Sequence, residues 1–153
     1  MTVEIRADDL SGEATRALLR LHLRGMHAHS PPGSVFALDL AGLTAAGGTG
    51  WTAGIGGPLG GLAAPKGHGD GSGELKSMRT HPDFLRRGIA AALLEHVIAV
   101  ARTRGLHRLS LETGSGPAFE AALALYRRRG FRYGEAFGGY QRSAFNQYLH
   151  LAL

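Results

Sequence analysis

The segment Met78-Arg79-Thr80-His81-Pro82-Asp83-Phe84-Leu85-Arg86-Arg87-Gly88-Ile89-Ala90-Ala91-Ala92-Leu93-Leu94 decides how the rest of the chain is read. Glu74 to Thr80 reads as a strand, Pro82 turns the chain, and a helix opens at Gly88 with a second small residue, Ala90, two positions on. Small residues there let a ligand approach bare backbone. The first N–H groups of a helix have no partner within it, so they can point at phosphate oxygens. The helix dipole and the charges of Arg86 and Arg87 favour an anion at the same place. Taken alone, Arg-x-Gly-x-Ala also fits an ordinary helix start with basic residues on a wet face.

Downstream, Gly88 to Arg104 carries a stripe of Ile89, Leu93, Val97 and Ala101 with Leu94 and Ile98 beside it, and Gly105 closes that helix. His107 to Thr113 alternates as a strand. Pro117 stands where the next helix begins, Phe119, Leu123 and Tyr126 follow along one face, and Gly130 ends it. Phe131–Tyr133 and Gln147–Leu153 read as the last strands. Upstream, Val3–Arg6 is an opening strand and Gly12–His27 an amphipathic helix. Pro31-Pro32-Gly33 breaks the chain before a second short helix or turn over Val35–Leu43. Half of the 24 glycines fall between Gly47 and Gly73, which predicts a hairpin of weak strands and poor order from Pro65 to Gly73. Strands alternating with helices specify an α/β layered fold.

At 153 residues the chain is one domain's worth, spanning 1–153, and 44% apolar against 19% charged residues is no disordered tail. The absence of cysteine excludes disulfides, thiolate metal sites and a cysteine nucleophile. Acids stand near the N-terminus where a secretory leader needs a basic start and an apolar run, and no apolar stretch reaches the ~20 residues of a membrane span. A cytoplasmic protein is therefore expected. The net charge of +5 welcomes an anionic partner without naming it. Arg127 to Arg129 read as a solvated helix face rather than a nucleic-acid surface. His22, His27 and His29 are loosely spaced with no carboxylate or cysteine to complete a site, so no metal is expected.

The quoted segment resembles motif A of the GNAT N-acetyltransferases, written Gln/Arg-x-x-Gly-x-Gly/Ala. The likeness continues in the family's order through Ala124-Leu125-Tyr126-Arg127-Arg128-Arg129-Gly130-Phe131 to the final strand, covering Glu74 to Leu153. Glu74-Leu75-Lys76-Ser77-Met78-Arg79-Thr80, Leu109 to Ser115 and Met26 to Pro32 resemble a bacterial subgroup labelled indole-acetate acetyltransferase-like. Position 85 is Leu where the motif carries Gln or Arg, and Arg86 stands beside it as a substitute. The resemblance implies a mixed central sheet of about six to seven strands flanked by about four helices. It also implies acetyl-CoA as donor, an unidentified primary amine as acceptor, and direct attack in a ternary complex. A homodimer is left open. The alternative is a CoA-binding sensor or partner-binding module that has lost catalysis.

By the same resemblance, Met78, Arg79 and Thr80 meet the pantetheine arm, with the Met78 amide on the thioester carbonyl. Arg86, Arg87, Gly88, Ile89 and Ala90 offer backbone amides to the diphosphate. Tyr126 is placed to protonate the departing sulfur; at its spacing from Phe119 and Leu123 it is also a core residue. Acyl transfer needs a neutral amine, and Glu74 stands where several family members place a general base. Period-2 alternation would put Glu74, Lys76, Met78 and Thr80 on one side, where Lys76 could instead neutralise Glu74. Glu112 and His81 are the second and third candidates. Met26 to Pro32 is expected to line the acceptor pocket, whereas Trp51 and Tyr140, as lone aromatics, read as packing.

Overall fold

The computed structural model describes residues 2–35, 42 and 50–153. Its strands are β1 (Glu4–Asp8), β2 (Gly50–Gly54), β3 (Leu59–Gly67), β4 (Ser72–Thr80), β5 (Arg108–Thr113), β6 (Arg132–Tyr133) and β7 (Gln147–Ala152), joined in one mixed sheet of order β1-β2-β3-β4-β5-β7-β6. Among the described residues three α-helices flank it: α1 (Glu13–Ala28), α2 (Ile89–Thr103) and α3 (Glu120–Arg129). Seven strands match the expectation. The helices number three against about four, and the short helix or turn expected over Val35–Leu43 lies, apart from Val35 and Gly42, outside the described residues. No described helix is long and apolar enough to cross a membrane.

Both faces of the sheet are covered, and β3 shows how. Ala63 belongs to the cluster built on Leu93, Leu94, Val97 and Ile98 of α2 and Leu123 of α3, while its neighbours Leu62 and Ala64 pack with Leu18 and Leu19 of α1. Alternate residues of one strand thus anchor opposite layers. Each fully buried leucine contributes about 1.5–3 kcal/mol of transfer free energy. The glycine-rich stretch expected to be poorly ordered is instead paired: Pro65 to Gly67 run against Gly73 to Leu75, and the His68 N–H donates to Ser72 O at 3.1 Å.

Two departures from regular pairing shape the centre of the sheet. Ala64 pairs with Ser77 but Pro65 with Leu75, which leaves Lys76 as the extra residue of a β-bulge. The bulge resets the alternation, so that Leu75 lies in the same core cluster against which Met78 packs. Strict period-2 spacing therefore fails here, and Glu74 faces the side opposite Met78 and Thr80. Next, β4 and β5 pair in parallel only where Ser72–Glu74 meet Arg108–Ser110. Beyond that point β4 continues against β3, β5 continues against β7, and a wedge opens between them.

Candidate active site

The wedge opens into a cleft of about 560 Å³ that joins the β4 edge, the start of α2 and one face of α3. The ladder's phase determines which main-chain groups face it. The His81 N–H donates to Gly60 O at 2.7 Å, so the Gly60–His81 pair exchanges bonds, and every second pair does likewise. In the observed register Leu62 and Arg79 form the next bonded pair, while Met78 and Thr80 turn their N–H and C=O groups away from β3 and into the wedge. Of the three strand residues expected at the cofactor, Met78 and Thr80 thus offer backbone, whereas the Arg79 main chain is engaged with Leu62.

After β4, a 3-10 turn over Pro82–Phe84 is capped by His81, whose Nδ1 accepts from the Asp83 N–H at 3.1 Å. This fixes the imidazole as a turn element. Arg86 at φ +63° and Gly88 at φ +83° then fold the chain sharply into α2. Gly88 has no side chain to cap the helix, and the first intrahelical bond is Ala92 N–H to Gly88 O at 3.0 Å. The N–H groups of Ile89 to Ala91 are left unspent beside the cleft they line. Arg86 also lines it, whereas the Arg87 guanidinium stacks over the Phe84 ring at 5.5 Å. Leu85 is 58% exposed at the rim. Arg128, read from sequence as part of a wet helix face, is a further cation on the wall.

Tyr126 sits 7% exposed against Phe131, with ring centroids 5.8 Å apart, and lines the same cleft. Its hydroxyl bonds to no described residue, and burial pushes its pKa up, so it holds its proton at neutral pH. Glu112 lines the cleft as well: Asn146 Nδ2 donates to its Oε2 at 2.8 Å, and burial raises its pKa against that bond and the Lys76 charge. Glu74, by contrast, is 2% exposed and off the cleft wall. Its carboxylate accepts from Tyr140 Oη at 2.6 Å, meets His68 Nε2 at 3.0 Å and stands 3.6 Å from Lys76 Nζ. Lys76, which does line the cleft, also donates to Tyr140 Oη. Tyr140 and Asn146 carried no local sequence signal: Tyr140 lies 66 residues from Glu74 and Asn146 lies 34 from Glu112.

The α1 wall carries a second arrangement that sequence reading missed. Arg79 Nε donates to His22 Nδ1 at 2.9 Å and Nη2 to His22 O at 3.2 Å. Burial first, then the Arg79 charge, pull the His22 imidazole down to about 4, so it is neutral at physiological pH. Met26 lines the cleft beside it, whereas His27 to Pro32, expected with it on an acceptor pocket, are not among the lining residues. Trp51 packs in the core against His96, ring centroids 5.1 Å apart. Among the described residues no group of three or more His, Asp or Glu side chains is placed to hold a metal ion.

Comparison with known proteins gives this geometry its relatives. A family model described as the acetyltransferase (GNAT) family matches residues 14–131. The uncharacterized N-acetyltransferase YedL of Escherichia coli K12 is 44% identical over 149 residues, covering 97% of this chain and 94% of that protein. The uncharacterized N-acetyltransferase YsnE of Bacillus subtilis is 44% identical over 138 residues, covering 90% and 91% respectively. An acetyltransferase of Bacillus subtilis solved in complex with CoA shares the fold with a TM-score of 0.76 at 17% identity, covering 99% of both chains.

Proposed function

The chain belongs to the GNAT acetyltransferase family, and from that premise we propose that it transfers an acetyl group from acetyl-CoA to a primary amine by direct attack within one ternary complex. The observation that carries this reading is a continuous groove joining three things: unspent amides at the start of α2, the outward-turned backbone of Met78 and Thr80, and the Tyr126 hydroxyl. The diphosphate rests on the amides from Gly88 to Ala90, with backbone from Arg86 and Arg87 before them and the side chains of Arg86 and Arg128 adding charge. The pantetheine arm bonds along Met78 and Thr80 as an added strand would, and the Met78 N–H polarises the thioester carbonyl.

The neutral amine attacks the carbonyl carbon, the C–S bond breaks, and the leaving sulfur takes the Tyr126 proton. A phenol kept protonated by burial suits that step. The proton shed by the amine goes to Glu112, the carboxylate on the cleft wall. Glu74 acts behind it by holding Lys76 and Tyr140 in place. Release of CoA thiol across a panel of primary amines tests the scheme. Amine-dependent, saturable release is expected, with turnover lowered about 10²-fold or more in Tyr126→Phe and Glu112→Gln while acetyl-CoA affinity stays near wild type. Binding of acetyl-CoA with no release by any amine would favour a sensor. A larger loss in Glu74→Gln than in Glu112→Gln would return the base role to Glu74.

A further inference from the structure

We infer that the Arg79 guanidinium, docked on His22, is a subsite for a carboxylate on the acceptor, so that the amine acetylated here belongs to an amino acid or another small amine with a free carboxylate. This rests on the acetyl-transfer reading above and names its acceptor class. The Arg79 main chain is spent on Leu62, so its share in the cleft is the side chain alone. Its Nε and Nη2 are turned onto the His22 ring and carbonyl at 2.9 and 3.2 Å. That uses the Nε edge of the planar fork and leaves the Nη1–Nη2 end, whose remaining N–H donors meet no acceptor among the described residues. Two parallel N–H groups at that end match the two oxygens of a carboxylate.

Three further observations mark the place as built for this. No carboxylate of the described residues lies within ion-pair distance of Arg79, although the side chain is half-buried. A cation in that position is costly until an anion joins it. The partner that orients it is a neutral imidazole, which fixes the fork without consuming its charge. Finally, the last turn of α1 carries Gly25, where a Cβ would come within 2.8 Å of Arg79 Nη2. A helical glycine costs stability relative to alanine, and here its missing side chain is what admits the guanidinium. The CoA diphosphate does not need this charge, since Arg86, just before the α2 start, and Arg128 also line the cleft. Arg79 follows Met78 directly on β4, so a carboxylate on its guanidinium keeps a nearby amine within reach of the thioester.

The test is CoA release with the free α-amino acids and, for each, the matching α-carboxamide, which keeps the amine and side chain but loses the charge. The carboxamide amines are the less basic and are more often neutral at pH 7.5, so basicity alone favours the carboxamides. We expect the best free amino acid to exceed its carboxamide at least about tenfold in kcat/KM. In Arg79→Gln that ratio should fall to near one, and in Arg79→Lys it should be partly retained; a ratio needs no assumption about how well each variant binds acetyl-CoA. Carboxamides that are equal or better acceptors, a ratio unchanged in Arg79→Gln, or no transfer to any free amino acid would each overturn the subsite. Calorimetry of the wild-type protein with acetyl-CoA separates the two failures. Saturable binding without carboxylate preference removes the subsite alone, whereas no binding removes the acetyl-transfer reading with it.

Discussion

At the scale of single residues, the cleft is lined by groups whose ionisation burial has shifted: Tyr126, Glu112 and His22. The burial of Tyr126 was legible from its helical spacing with Phe119 and Leu123, and it lines the cleft as well. The pairing of Lys76 with Glu74 was legible too, and the two stand 3.6 Å apart; the contacts of Tyr140 and Asn146 were not, since each meets its carboxylate partner through tertiary packing that no local pattern records. His22 gives the clearest pH consequence. Its folded pKa, about 4, lies below the ordinary 6.5, so between those values the unfolded chain binds the extra proton and stability rises with pH. The contribution is intact above about pH 6.5 and is lost as pH falls toward 4, at most about 3 kcal/mol. Thermal denaturation between pH 4 and pH 7 should therefore show a steep acid limb that flattens in His22→Gln. An equally steep limb in that variant would mean that other groups carry it.

At the scale of elements, the loop from Pro82 into α2 was readable because proline, glycine and a hydrophobic stripe each constrain the backbone locally. The β-bulge at Lys76 was not, because a register shift is a property of two strands and only one is visible at a time. That is why the alternation drawn from β4 alone put Glu74 on the wrong face. The weak glycine-rich strands were underrated for a related reason: pairing with β4 and burial of Leu62, Ala63 and Ala64 override poor intrinsic propensity. Gly88 tests the loop. At φ +83° a side chain strains the backbone by about 1–2 kcal/mol, although no atom stands within 4 Å of the added Cβ. Gly88→Val should lower the melting temperature by a few degrees and weaken acetyl-CoA binding about tenfold or more, both read from thermal shift with and without ligand. Lost stability with unchanged affinity would place the diphosphate elsewhere.

At the scale of the molecule, the cleft is a seam between parts of the chain that are remote in sequence. His22 and Met26 come from α1, Met78 and Arg79 from β4, Ile89 and Ala90 from α2, Glu112 from β5 and Tyr126 from α3. The second half of the chain is legible because its elements carry strong periodicity and capping signals, from the Ile89, Leu93 and Val97 stripe to the helix ends at Gly105 and Gly130. The α1 wall is not, since His22 and Met26 reach the cleft only through the packing of α1 on the sheet, which no motif records. Both halves serve one physical arrangement, in which two strands part and a helix start faces the gap. The most direct measurement is a crystal structure of the protein with acetyl-CoA. Diphosphate oxygens are expected within hydrogen-bond distance of the amides from Gly88 to Ala90, the thioester carbonyl on the Met78 N–H, and the sulfur beside the Tyr126 hydroxyl. Acetyl-CoA bound outside the wedge between β4 and β5, or its diphosphate clear of the α2 start, would contradict it.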